Sequence, residues 1–144
     1  MVLSIGSIAP NFTTIDDEGR TISLSDFKGK VVVIYFYPKD DTPGCTKEAK
    51  GFRDNYNHYQ SREIVIFGVS MDNRVSHQKF KEKYGLPFQL LVDYDGKITK
   101  AYDVDGGGYS KRTTYIIDAE GKINYVDEKV KTDSHAQDIL TTLK

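Results

Sequence analysis

The chain has 144 residues, with 20 Lys and Arg against 21 Asp and Glu and a formal net charge of −1. That balance gives no general pull toward nucleic acid or anionic membrane, and no apolar run approaches the length of a membrane helix. The single cysteine excludes an internal disulfide and any multi-cysteine metal site, while the length suffices for one domain over residues 1–144 that buries roughly 70% of its unfolded surface.

The start lacks the basic and long apolar segments of a secretory signal, so a cytoplasmic location is the default expectation. Phe12-Thr13-Thr14-Ile15 and Arg20-Thr21-Ile22-Ser23-Leu24 alternate around Asp16-Asp17-Glu18-Gly19, which predicts a hairpin. Residues 25–29 read as a turn into an apolar run, 31–37, expected as a buried strand. Residues 46–59 read as a helix whose apolar face carries Ala49, Phe52, Tyr56 and Tyr59. A second buried strand is predicted over 63–70 and a helix over 73–84, stopped by Gly85-Leu86-Pro87. Lys79, Lys81 and Lys83 on that helix are expected to form a solvated face. Residues 88–92 read as a strand, 93–96 as a turn, 97–102 as a short helix and 105–110 as a flexible loop. Residues 113–117 and 123–126 flank Asp118-Ala119-Glu120-Gly121 as a hairpin, and 134–140 closes the fold as a helix. This order predicts an α/β sandwich with a mixed sheet whose first strand pair is parallel.

The chemistry concentrates at the junction between the 31–37 strand and the helix that follows. Thr42 suits an N-cap and Pro43 the first helical position, which makes Cys45 the third helical residue. A thiolate there gains from unpaired N–H groups and the positive end of the helix dipole, conditions that make a cysteine reactive. A lone cysteine is otherwise most often a small buried hydrophobe. The placement favours the reactive reading, because sites in α/β sheets are built where strands give way to helices.

Other constellations are negative. Gly106-Gly107-Gly108 does not link a strand to a helix as a phosphate loop does. His58, His77 and His135 lack metal-ligand spacing and read as surface or core residues. The aspartates read mainly as turn formers. Position 48 is Glu, so the Cys-x-x-Cys pair of dithiol oxidoreductases is absent.

Pro38-x-x-x-Thr42-x-x-Cys45 resembles the peroxiredoxin active-site motif. The longer string from Phe36 to Ala49 is similar to the bacterioferritin comigratory protein branch, also called peroxiredoxin Q. The similarity continues through Gly68-Val69-Ser70-Met71-Asp72, Ser76-His77-Gln78-Lys79-Phe80, Lys83-Tyr84-Gly85-Leu86-Pro87-Phe88 and Arg112-Thr113-Thr114-Tyr115-Ile116-Ile117-Asp118. The resemblance implies an α/β thioredoxin-like fold, a mixed central sheet flanked by helices, with an added N-terminal β-hairpin. It implies thiol-dependent reduction of hydrogen peroxide and alkyl hydroperoxides without metal or organic cofactor. By the same resemblance Cys45 is the peroxidatic nucleophile, Thr42 hydrogen-bonds the peroxide, Pro38 shields the pocket, Arg112 holds thiolate and peroxide, and Glu48 orients Arg112. From the residues alone, Arg112 reads as a solvated charge beside Lys111.

Many members of this branch carry a second cysteine five residues after the first, where this chain has Lys50; the 73–84 helix has none either. The chain therefore resembles a one-cysteine peroxiredoxin. The expected partners are a peroxide and an external thiol (thioredoxin, glutaredoxin or a low-molecular thiol), with no nucleic acid or membrane, in a monomer or weak homodimer. The competing reading is a non-catalytic thioredoxin-fold binding or scaffold protein. The joint presence of Pro38, Thr42, Cys45, Glu48 and Arg112 favours the enzyme.

Overall fold

A computed structural model describes residues 2–143. The apolar run forms β3 (Val31–Phe36), the middle strand of a five-stranded sheet. Its neighbours are β4 (Ile64–Ser70), parallel, and β6 (Thr113–Ile117), antiparallel. Outside these lie β5 (Gln89–Val92), parallel to β4, and β7 (Ile123–Asp127), antiparallel to β6, in the order β5-β4-β3-β6-β7. The mixed sheet and its parallel first pair are as the sequence predicts.

β3 is apolar at nearly every position because both sheet faces are covered. Val32, Ile34 and Phe36 point into one core, with Phe67, Val69, Leu91, Tyr102, Tyr115 and Ile117. Val33, Tyr35 and Tyr37 point into the other, with Phe52, Tyr59, Phe80, Phe88 and Ile139. That second layer is built by α1 (Pro43–Asp54), α2 (Tyr56–Ser61), α3 (Arg74–Tyr84) and α5 (His135–Thr142). The first is closed by α4 (Lys97–Ala101) and by the hairpin β1 (Thr13–Ile15)–β2 (Thr21–Ser23).

Three expectations are corrected and a fourth, the aspartates as turn formers, is extended. The helix expected over 46–59 is two helices: Asn55 turns its amide back to the Gly51 carbonyl (2.8 Å) and breaks the run, the local competition in which asparagine excels. The loop over 105–110 is a tight bonded turn, with an Asp105–Ser110 bridge, Gly106 N–H to Tyr109 C=O at 2.8 Å, and Gly107 and Gly108 in left-handed conformations. Lys81 and Lys83 are ion-paired with Asp17 (3.2 Å) and Asp41 (2.7 Å), so α3 has no wholly solvated lysine face. Asp16 and Asp17, at the hairpin tip, are buried. Asp16 accepts hydrogen bonds from the N–H groups of Glu18 and Arg20 and from the Gln89 side chain, and Asp17 accepts one from Leu90 N–H. The tip thereby docks on the outer edge of β5, where Asp16 also bridges Leu91.

On the helical side, Gly68 is closely packed. A Cβ there would lie 2.8 Å from Leu90 Cδ2 and 2.9 Å from the Tyr35 ring. Gly68→Ala is expected to destabilise the protein by about 1–3 kcal/mol through overpacking. Urea unfolding checks this: the midpoint should drop with the slope unchanged.

Candidate active site

Cys45 is the third residue of α1, the helix that follows the central strand after a short loop. Thr42 is the N-cap with extended backbone and Pro43 opens the helix. The cap works by position: Thr42 accepts the Thr46 N–H through its carbonyl (2.8 Å), and its hydroxyl donates to the Lys39 carbonyl (2.9 Å). Glu48 is one helical turn after Cys45, so both side chains project from the same face.

The antiparallel register pairs Phe36 with Thr113. Arg112, one residue ahead of β6, is thus delivered to the end of β3 although it stands 67 residues from Cys45 in sequence. Its Nη2 donates to Cys45 Sγ at 3.3 Å and its Nη1 to Glu48 Oε1 at 2.7 Å. One planar guanidinium holds the sulfur and the carboxylate together. Gly44 makes room for it, since a Cβ there would lie 3.0 Å from Arg112 Nη2. Cys45 and Glu48 are each 1% exposed, so both contacts are shielded from water.

Burial pushes the Glu48 carboxyl up to about 7, against the opposing pull of Arg112. Arg112 loses some basicity to burial and regains more from Glu48 and Cys45, so it is the permanent charge and Glu48 the member that titrates. Behind Glu48 lies His135, on α5, with Nε2 3.8 Å from Glu48 Oε2 and sharing a 2.7 Å hydrogen bond with Thr114. Burial depresses His135 to about 4 and keeps it neutral. Among the described residues, the buried side-chain polar atoms without a hydrogen-bond partner are Tyr35 Oη, Glu48 Oε2 and His135 Nδ1.

Cys45, Glu48 and Arg112 are therefore brought into direct contact, and Thr42 caps the same helix. Pro38 is half-buried at the head of the loop, where it lines a depression with Met71 and Tyr109. His135 and Thr114 were not foreseen, because no sequence spacing relates them to Glu48. An apolar cavity lies elsewhere, lined by Leu24, Phe27, Val32 and Ile117 at the far end of β3.

A helix-N-terminal thiol at the end of a central strand, gripped by an arginine and a buried carboxylate, on a thioredoxin-like sheet with an N-terminal hairpin, defines the peroxiredoxin class. The chain belongs to the AhpC/TSA family, whose model matches residues 5–126. Within it, the chain is of the bacterioferritin comigratory protein or peroxiredoxin Q branch, in a one-cysteine form. It is 46% identical to peroxiredoxin Bcp of Bacillus subtilis over 100% of this chain and 97% of that protein. The peroxiredoxin Q structure from Xylella fastidiosa superposes with a TM-score of 0.93 at 29% identity, covering 99% of this chain and 96% of the other. The bacterioferritin comigratory protein of Xanthomonas campestris, studied for alkyl peroxide reduction, gives 0.86 at 33% identity over 92% and 89%. The activity is thiol-dependent peroxide reduction.

The two buried titrating groups act oppositely on stability. Glu48 binds its proton more tightly when folded, at about 7 against an ordinary 4.5, so its contribution grows as pH falls through that window. His135 binds its proton less tightly when folded, at about 4 against 6.5, so its contribution is lost as pH falls through the overlapping window. Glu48→Gln should therefore steepen the acid loss of stability between about pH 7 and 4.5, and His135→Gln should flatten or reverse it, each by up to about 3 kcal/mol. Urea unfolding of both variants across that range provides the comparison.

Proposed function

We propose that Cys45 is the peroxidatic nucleophile of a single-domain, one-cysteine thiol peroxidase, with Arg112, Glu48, Thr42 and Pro38 as its supporting residues. The observation that carries this is the guanidinium shared between Cys45 Sγ and Glu48 Oε1. The Cys45 thiolate attacks the terminal oxygen of ROOH. The S–O bond forms as the O–O bond breaks, sulfur is oxidised to sulfenic acid, and the departing alkoxide takes up the proton that the thiol gave up. Arg112 is placed to stabilise both the thiolate and the charge growing on the departing oxygen, in a water-poor site where such donors act most strongly. Thr42 and Pro38, on the preceding loop, are assigned to holding the peroxide and screening it from water. An external thiol then condenses with the sulfenic acid, releasing water, and a second thiol frees Cys45. The substrate range assigned is hydrogen peroxide and alkyl hydroperoxides, the latter following the Xanthomonas relative. The reductant is assigned to thioredoxin, glutaredoxin or a low-molecular thiol. The working form is assigned to a monomer or weak homodimer in the cytoplasm; no described helix is long and apolar enough to cross a membrane.

Cys45→Ser should abolish peroxide turnover with the fold retained, and substantial residual turnover would overturn the assignment. Arg112→Ala should slow Cys45 oxidation by about 10²- to 10³-fold, the scale of losing one oxyanion donor. Stopped-flow measurement at saturating reductant reads both.

Lys50 occupies the position of the branch's second cysteine and lies over the Tyr84 ring, 5.1 Å from its centroid. On α1 it is rotated by about 140° from Cys45, and Cys45 is the single cysteine, so the sulfenic acid has no internal thiol partner. Intact mass after one equivalent of peroxide should show one added oxygen, and excess peroxide should add a second as sulfinic acid. Lys50→Cys should instead lose two hydrogens if the helix can open to form a disulfide. One added oxygen in that variant would mean that α1 stays wound.

A further inference from the structure

Loop 38–42 joins β3 to α1 and delivers Thr42 and the first turn around Cys45. Asp40, in its middle, is buried and heavily bonded. Its N–H donates to Asp72 Oδ2 at 2.9 Å. Its carboxylate accepts from Tyr37 Oη (2.6 Å) and Ser76 Oγ (2.8 Å) and shares a 2.7 Å hydrogen bond with His77 Nδ1. Ser70 Oγ in turn donates to Asp72 Oδ2 at 2.6 Å.

His77, on α3, is completely buried. Its other ring nitrogen, Nε2, lies 2.8 Å from the Leu91 carbonyl oxygen of β5. A backbone carbonyl only accepts, so Nε2 carries a proton. Two hydroxyl donors, Tyr37 and Ser76, already converge on the Asp40 carboxylate, and at 2.7 Å a proton lies between Asp40 Oδ2 and Nδ1; the Asp40 contact that raises the His77 value places that proton on Nδ1. A ring that donates from both nitrogens is an imidazolium. Asp40, Asp72 and His77 also lie within metal-ligand reach of one another. Yet no buried side-chain nitrogen or oxygen of this cluster lacks a partner, so the network is closed by protein groups alone.

The loop is gripped a second time from α3. Asp41 has a left-handed φ of 58°, a conformation that costs a non-glycine residue of order 1 kcal/mol or more and persists only where its surroundings enforce it. Lys83 Nζ and Tyr84 Oη supply that grip, both at 2.7 Å from its carboxylate.

We propose that the His77 imidazolium, acting through Asp40, is a positioning residue for peroxide reduction: it holds loop 38–42 in the shape that sets Thr42 and the N-terminal turn of α1 around Cys45, and losing its proton slows peroxide attack. The inference rests on the reading of Cys45 as nucleophile. The charged and titratable groups that face His77 are Asp40 from the loop, Asp72 from the end of β4 and Tyr37 from the end of β3; Asp93, after β5, turns its carboxylate to the first turn of α4. Lys79 and Lys83 rim the depression beside Asp40 and Ser76, and Lys83 is engaged by Asp41. Burial works against the His77 charge, but the Asp40 pair and the Leu91 carbonyl outweigh it and raise the value above the ordinary one. A raised histidine contributes fully below about pH 6.5, and its contribution is lost as pH rises through the folded value.

The test joins imidazole nitrogen NMR of the reduced protein to stopped-flow oxidation of Cys45, each from about pH 6 to 9. His77 should show two protonated nitrogens at neutral pH, and the oxidation rate should fall on the alkaline side with the same midpoint. His77→Gln should react about 10- to 100-fold more slowly at neutral pH and lose that alkaline limb. Asp40→Asn should lower the His77 midpoint, which keeps the proposal testable if His77→Gln fails to fold. A singly protonated His77 across the range, or an unchanged limb in His77→Gln, would overturn it. Peroxide consumption in the wild type without sulfenic acid at Cys45, scored by dimedone labelling, would instead overturn the reading of Cys45 on which the inference rests.

Discussion

The candidate site around Cys45 hangs on one planar cation. Arg112 can touch Cys45 and Glu48 together only because two independent structures converge. The helix start sets sulfur and carboxylate one turn apart, and the Phe36–Thr113 pairing carries the arginine to the same end of the sheet. The forked shape matters as much as the charge, since an ammonium offers one point where the guanidinium offers two separated donors. Gly44 belongs to the same constraint: its missing side chain is the space in which the fork lies.

This arrangement is costly in the terms that govern ordinary cores. A buried carboxylate with one paired oxygen, a neutral imidazole with an orphan nitrogen and a tyrosine hydroxyl without a partner each forgo hydrogen bonding that water would give. Glu48 and His135 sit side by side in the layer beneath the thiol. Polar groups left unsatisfied in a native interior gather where chemistry is done, and the rest of the molecule, with its two aromatic-rich cores on either side of β3, supplies the stability that offsets them.

What is legible in the sequence is what local physics decides. The run 31–37 announces a strand covered on both faces, and Thr42-Pro43 announces a helix whose third residue is the cysteine. Tertiary placement is a different matter. Nothing local distinguishes Arg112 from a solvated charge, and only the family resemblance brought it to Cys45. The buried histidines escaped for the same reason: His77 meets Asp40 across 37 residues and His135 meets Thr114 across 21, through sheet and helix packing that no spacing encodes. Asn55 broke an apolar pattern that otherwise continued at helical spacing. The aspartates of the first hairpin read as turn formers, and Asp16 is one, accepting from Glu18 and Arg20; their second role, accepting from Gln89 and Leu90 of β5, lies far along the chain.

Those aspartates bear on a hazard remote from peroxide chemistry. β5 is the last strand on its side, and an exposed strand edge is a template on which another chain can add. Here the edge is occupied: Asp16 bridges Leu91, Asp17 takes the Leu90 N–H, and the Gln89 side chain is tied to Asp16. The small N-terminal hairpin, which contributes no atom to the thiol site, thus acts as a built-in stopper that ends the sheet and guards this border against intermolecular strand pairing.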